Sequence, residues 1–316
     1  MATTGIARAA GYADYSSTGT GGQFTPELWS MLLTEKVFAN TVMSEICDIS
    51  WEGEIQKMGD TVHIRTTPNM NINTYAIGQT ITYQVPTSTP TSLTINQGLY
   101  WAYAIDDVDR YEADIELMDN FTQSAVQQTM VVQDQTLLAT IPSQAGAQNS
   151  GNAAGAQSGN INLGSVALPL TITSANVVDS VLFAASQALD EQNIPYDGRR
   201  WIVLPSWMIR KLRNSEIKLV YETGDAVSPA RNGKVGRIAD FTVFQSNNLN
   251  LFQNNYVNTW DIPFGWSPGL AWASQFTETK MVDLVTQIGV GVRSVCAYGF
   301  NTVVPAFVGN IVCVQG

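Results

Sequence analysis

The stretch LTINQGLYWAYAIDDVDRYEADIELMDNFTQSAVQQTMVVQDQTLLATI, residues 93–141, changes its periodicity once, and that change decides the fold class. From Leu93 to Ile105 every second residue falls on one face: Leu93, Ile95, Gln97, Leu99, Trp101, Tyr103 and Ile105. Period two over that length predicts a strand. From Tyr111 to Ile141 there is neither proline nor glycine, and Ile115, Met118, Phe121, Ala125, Val132 and Leu138 follow a looser, helical spacing. A helix over that run would be about 47 Å long at 1.5 Å per residue. Gln and Thr interleave its apolar positions, which suits a helix laid across a surface better than one filling a bundle core. Pro142 is expected to end it.

Upstream, Asp60–Arg65 alternates through Val62 and Ile64, and Gln79–Val85 alternates through Ile81, Tyr83 and Val85. Between Pro68 and Pro90 the chain is rich in Asn and Thr. Residues 51–105 therefore predict a long two-stranded arm with a polar tip. An isolated hairpin is marginally stable in water, so the arm is expected to lie on something, most naturally a second copy of the chain. Before it, Thr25-Pro26-Glu27 opens a helix with a hydroxyl cap, a first-turn proline and an acid. Leu28, Leu32, Phe38, Val42 and Ile46 carry that helix to about Cys47, within 25–50. Residues 1–24 are Ala, Gly, Ser and Thr rich and predict a flexible arm.

Downstream, the low-complexity run 142–165 predicts a flexible loop. Thr173 or Ser174 caps a helix through Val177, Val181, Leu182, Ala185 and Leu189 that ends before Pro195. Trp201–Leu204 predicts a short buried strand, Ser206–Arg213 a short helix and Phe241–Phe244 another strand; from Val257 the chain is strand-like again. No internal repeat is visible. The order is helix, hairpin, long helix, then mixed elements, an α+β class.

Composition limits the function. Only 14% of the 316 residues are charged, the net charge is −11 and the pI is about 4.5. So few charges fit a surface that neighbouring copies cover, and a secreted β-rich protein has the same feature. An acidic chain argues against a groove that tracks a nucleic-acid backbone, though not against enclosing nucleic acid at a distance. Cys47, Cys296 and Cys313 form no CxxC pair and read as buried free thiols. The N-terminal stretch lacks the apolar segment of a signal peptide, and no run of about 18 apolar residues predicts a membrane span. The chain is expected to be made in a cytoplasm and to stay soluble until it assembles.

Few residues stand in a pattern that catalysis or ligand binding needs. His63 is the single histidine and sits on a predicted strand, with no nucleophile elbow elsewhere. Asp106, Asp107, Asp109, Glu112, Asp114, Glu116 and Asp119 are dense enough to suggest a divalent cation, but they lack the spacing of a calcium loop. They read as a cap and first-turn acids of the long helix. Arg199 to Arg237 carries nine basic residues, Arg210 and Arg213 among them, against Glu216, Glu222 and Asp225, a local charge of +6. Complementarity with an acidic patch on a neighbouring copy fits an acidic chain better than a nucleic-acid site. Gly289-Val-Gly291 and Gly233-Lys-Val-Gly236 match no nucleotide fingerprint. Trp260, Trp266 and Trp272 could form a sugar platform, but they read more simply as packing. Neither catalysis, a metal nor a cofactor is expected.

Four segments resemble the major capsid proteins of tailed bacteriophages with the Hong Kong 97 type fold. Lys57-Met-Gly-Asp-Thr-Val-His-Ile64 is similar to the Gly-Asp-Thr-Val strand that begins that family's extended hairpin, the E-loop. Arg200-Trp-Ile-Val-Leu-Pro205 with the helix after it resembles the axial-domain strand. Phe241-Thr-Val-Phe-Gln-Ser-Asn-Asn-Leu249 resembles a later strand and turn, and Arg293 to Pro305 the closing strands. The resemblance spans about 24–316. It implies an N-terminal arm, an E-loop hairpin over 51–105, a spine helix within a peripheral domain over 106–141, a mainly axial domain over 166–285 and closing strands over 286–316. It also implies self-assembly into pentamers and hexamers of an icosahedral head found in the virion and assembled in the host cytoplasm. The partners implied are a separate scaffolding protein, a portal, a decoration protein and enclosed double-stranded DNA held without sequence-specific contacts. The expected assembly contacts are Leu99, Trp101, Tyr103, Asp106, Asp109, Arg210 and Arg213, and Trp101→Asp is expected to spare the subunit and block the shell. The alternatives are an encapsulin-type cargo compartment and, from another class, a β-rich carbohydrate-binding or adhesion module.

Overall fold

The long helix packs against two sheets. The computed structural model describes residues 39–51, 61–65, 67–68, 70–88, 90–106, 117–215, 236–254, 257–284 and 288–316. The arm 1–24, the helix expected from Thr25 up to residue 38, the Lys57–Asp60 lead into the first strand and Asp109 lie outside these residues.

The described chain opens with a one-turn helix α1 (Met43–Ile46), then β1 (Thr61–Ile64), β2 (Thr91–Thr94) and β3 (Gln97–Asp106). The long helix α2 is Leu117–Gln144. It runs through Pro142 and ends two residues later, so proline costs the last turn a hydrogen bond without stopping the helix at that residue. Gln144 then fastens the end: its Oε1 accepts from Thr302 N at 3.2 Å and Thr302 Oγ1 at 2.7 Å. The helix divides by surroundings. Phe121, Val126 and Met130 are exposed in its first half, whereas Leu137, Leu138 and Ile141 are fully buried in its second. That second half fills a core, which its mixed composition did not predict.

Residues 145–165 also differ from expectation. Asn149, Ala154 and Leu163 are fully buried in a run that reads as a flexible loop. Backbone pairing explains it. Ala154 and Ile161 exchange hydrogen bonds at 2.8 and 2.9 Å, and Asn149 Nδ2 donates to Ala306 O at 2.6 Å. Gly164, at φ +73°, lies so close to Val312 O that a Cβ would approach to 2.2 Å. Glu191 holds the tip, accepting from Gln157 N at 2.8 Å and Ser158 N at 3.0 Å. Those backbone donors pull its carboxyl down to about 2. Because the folded value lies below the ordinary 4.5, this anchor is complete above about pH 4.5 and is lost as the pH falls toward 2. Amide exchange at Gln157 and Ser158 should therefore accelerate over that window relative to Ala154 beside them, and Glu191→Gln should remove most of the pH dependence.

The seven-stranded sheet orders β4 (Leu170–Ile172), β12 (Val308–Gln315), β9 (Val257–Trp266), β5 (Arg200–Leu204), β7 (Phe241–Gln245) and β6 (Arg237–Ile238), with β8 (Leu251–Asn254) on β9. β12–β4 and β5–β7 are parallel and the other pairs antiparallel. β5 is buried at every position, as a short continuous apolar run requires. The helix before it starts at Val177, is π-helical over Val178–Phe183 and continues as α3 (Ala184–Asp190). Asn176, rather than Thr173 or Ser174, organises its entry: its Oδ1 accepts from Thr173 N at 2.7 Å. The short helix α4 is Ser206–Arg213, as expected.

The three-stranded antiparallel sheet has β11 (Gly289–Thr302) between β10 (Leu270–Asp283) and β3. The N-terminal segment is tied in by a buried carboxylate. Asp134 Oδ1 accepts from Val42 N at 3.1 Å and Met43 N at 3.0 Å, and its Oδ2 accepts from Asn248 Nδ2 at 2.8 Å. Burial holds this carboxyl above the ordinary range, while its four hydrogen-bonding neighbours, Asn248, Val42, Met43 and Ser246, pull the other way. Ser246 Oγ donates to Asn40 O at 3.1 Å, so the Ser246-Asn-Asn248 turn and α2 together grip residues 40–43.

Candidate assembly surface

β3 keeps the alternation of its sequence, with Leu99, Trp101, Tyr103 and Ile105 more buried than Tyr100, Ala102 and Ala104 between them. Its inner face turns to α2. Tyr103 OH donates to Met118 O at 2.9 Å and meets Thr122 Oγ1 at 2.7 Å, while its ring stands edge-on to Phe121 at 5.7 Å. Trp101 stacks on Tyr103 at 5.8 Å, and Leu99 packs against the main core. These three expected contacts thus pack within the subunit. A charge at Trp101 would disturb the subunit's own packing before it reached a neighbour, contrary to the expectation that it spares the fold.

The expected single strand over 93–105 is broken. After Thr94 the chain leaves the sheet at Ile95–Asn96, and β2 pairs with β1 instead. This four-residue hairpin sits on the end of β10 and β11 through a second apolar cluster: Ile64, Leu93, Ala271, Ala273 and Val303. Asn301 Nδ2 donates to Ser92 O at 2.8 Å and Thr91 Oγ1 to Val303 O at 3.2 Å.

Beyond the hairpin, every residue of 70–88 is exposed and none forms a strand, including Gln79–Val85, whose alternation predicted one. Alternation predicts pairing only where a surface exists to bury one face, and here the subunit offers none. The chain still doubles back. Gln84 clasps Asn71 through Oε1 to its N–H at 3.1 Å and Nε2 to its carbonyl at 2.8 Å, and Ala76–Gln79 closes the turn. Met70, Ile72, Tyr75, Ile77, Ile81, Tyr83 and Val85 all stand in solvent, Ile77 fully and Tyr83 at 93%. None of the seven was named among the expected contacts, although the arm 51–105 that carries them was expected to lie on a second copy. Their signal was present in the sequence as large apolar residues in a segment with no partner to bury them.

Asp106 ends β3 opposite Gly289. Arg210 and Arg213 are exposed on α4, and Arg210 borders an open polar cleft of about 600 Å³ with Thr173, Ser174 and Asn214. Lys211, beside them, is buried and donates to Ile172 O at 2.6 Å and to Gly316 O. The tryptophans are spent on packing: Trp207 meets Trp260 at 5.1 Å, Trp266 meets Phe307 at 5.1 Å and Trp272 stacks on Tyr298 at 5.0 Å. His63 is exposed on β1 opposite Ser92. Among the described residues no group of His, Cys, Asp or Glu could hold a metal ion. Cys47 and Cys313 are buried; burial pushes the Cys313 thiol up to about 12 and raises that of Cys47 further. No described helix is long and apolar enough to cross a membrane.

No protein-family model and no curated protein matches the chain. Solved structures do. A chain described as Mycobacterium phage Che8 superposes with a TM-score of 0.75 at 21% identity, over 91% of this chain and 96% of that one. A chain of the capsid of the cyanophage P-SCSP1u superposes at 0.71 and 14%, over 97% of each. One from the mature capsid of bacteriophage PhiM1 superposes at 0.68 and 12%, over 95% of each. The chain has the Hong Kong 97 type capsid fold. The three superposed chains cover 91–97% of this one, and its mixture of helix and sheet is the α+β class expected from the sequence.

Proposed function

We propose that this chain is the major capsid protein of a tailed phage, the repeated subunit of an icosahedral head. One observation carries the proposal beyond the fold: within 70–85 seven large apolar side chains stand in solvent, with Ile72, Ile77 and Tyr83 more than nine-tenths exposed. Large apolar side chains concentrated in one exposed segment mark a contact site, and a repeated shell subunit supplies the partner. In this reading 61–94 is the E-loop, α2 the spine helix, and β3, β10 and β11 the peripheral-domain sheet, while the seven-stranded sheet belongs to the axial domain. The E-loop lies on an adjacent copy, and Arg210 and Arg213 face acidic surface of a neighbour within the pentamer or hexamer. A scaffolding protein, a portal and packaged double-stranded DNA are its partners, and it serves no catalytic step.

Sedimentation of the expressed protein, followed by analysis of particle contents, tests the proposal. Assemblies of capsomer size and larger, with nuclease-protected DNA in particles from the complete assembly system, support it. Particles filled with enzyme cargo would favour an encapsulin-type compartment, and a persistent 34.3 kDa monomer would contradict both.

A further inference from the structure

We infer that Gly299 is a positioning residue: it is the seat over which the E-loop hairpin crosses the sheet, and its lack of a side chain sets the angle at which the loop leaves the subunit. The inference rests on the shell-subunit reading above. β3 ends its pairing with β11 at Gln97 opposite Tyr298, and Gly299 is the next residue along β11, opposite Ala273. The chain has two residues, Ile95 and Asn96, in which to pass from the sheet to the hairpin. It makes the passage in contact with Gly299. A Cβ there would lie 2.2 Å from Thr94 O and 2.8 Å from both Thr94 C and Ile95 Cα.

All three atoms are backbone, so no rotamer change relieves the contact. Gly299 is not among the glycines with positive φ, so a methyl group brings no left-handed strain and acts only through this distance. Ordinary carbon contacts begin near 3.5 Å, and the crossing must therefore rise by roughly 1 Å. The hairpin is fastened just beside the seat, through Asn301 to Ser92 O, Thr91 to Val303 O and the Ile64–Leu93–Val303 cluster. A rise at one end of a base about 13 Å long, at 3.3 Å per residue over β2, tilts the rest and moves the distant tip at Ile77 by several ångström. The subunit tolerates that tilt, because 70–88 touches little of it, but a fixed contact on a neighbour does not.

The test compares Gly299→Ala with Gly98→Ala in shells assembled from the full chain with its scaffolding partner. Gly98 lies on β3 in the same sheet, and a Cβ there meets nothing within 4 Å. The expected result is a folded subunit by circular dichroism for both, shells of wild-type diameter and yield for Gly98→Ala, and for Gly299→Ala a loss of closed shells of tenfold or more, or a shifted diameter. Wild-type diameter and yield from Gly299→Ala would overturn the inference. Should Gly299→Ala fail to fold, Asn301→Ala removes only the tether to Ser92. Faster amide exchange over 91–94 with a broadened shell diameter supports the inference, and unchanged exchange with uniform shells overturns it. Failure of the wild-type chain to form shells would instead sink the shell-subunit reading itself.

Discussion

Replacing Ile77, Ile81 and Tyr83 together by aspartate is expected to leave the subunit's thermal midpoint within about 2 °C of wild type and to abolish closed shells. The three side chains are 100%, 65% and 93% exposed, so the folded subunit loses almost no packing. The cost falls on association. Each apolar side chain buried on a neighbour contributes about 1.5–3 kcal/mol, so three together contribute more than about 4 kcal/mol per contact. That is roughly a thousandfold in the association constant of one interface, before the cost of desolvating three carboxylates. Every subunit in a closed shell repeats the contact. Thermal unfolding and electron microscopy of the same preparation check the two halves of this expectation. A large fall in midpoint would place these residues inside the subunit, and normal shells would remove them from the interface.

Asp134→Ala is expected to act in the opposite sense, unfolding the subunit by about 3 kcal/mol while leaving the exposed loop untouched. The substitution strips acceptors from Val42 N, Met43 N and Asn248 Nδ2, in a site where Asp134 itself is fully buried. Leaving a buried donor unsatisfied costs about 1–3 kcal/mol, and the partial relaxation of residues 40–43 toward water keeps the sum near the lower end. Asp134→Asn should fall between, because its Oδ1 can still accept the two backbone bonds while its amide opposes that of Asn248. Denaturant midpoints rank the three proteins. Exchange at Val42 and Met43 should accelerate before that of Leu137 and Leu138, showing that the N-terminal segment detaches first.

The sequence was most readable where one physical rule acted alone. Trp201–Leu204, an unbroken apolar run, is the buried β5, and Ser206–Arg213 is a helix over the same residues as expected. β3 kept its period-two face. The rule failed where pattern and partner separated. Gln79–Val85 alternates as cleanly as β3 but has no sheet within the subunit to join, and it stays unpaired by any strand and exposed. The break at Ile95–Asn96 was hidden because Leu93 and Ile95 continue the alternation of β3, although a different apolar cluster receives them. The fastened run 145–165, in which Asn149, Ala154 and Leu163 are buried, was hidden for the reverse reason. Its residues are small and polar, and they are held by backbone hydrogen bonds and glycine approaches that composition does not report. For the same reason Leu99, Trp101 and Tyr103 read as an outward surface: periodicity shows that a face is covered, but not whether a neighbour or the chain's own helix covers it.

Negative-stain electron microscopy of the purified protein, expressed alone and with a candidate scaffolding protein, shows whether the chain builds a shell. Rings of five and six subunits or closed, uniform shells are expected in at least one of the two preparations. A compact monomer in both, with the loop 70–88 still exposed to protease, would contradict that expectation.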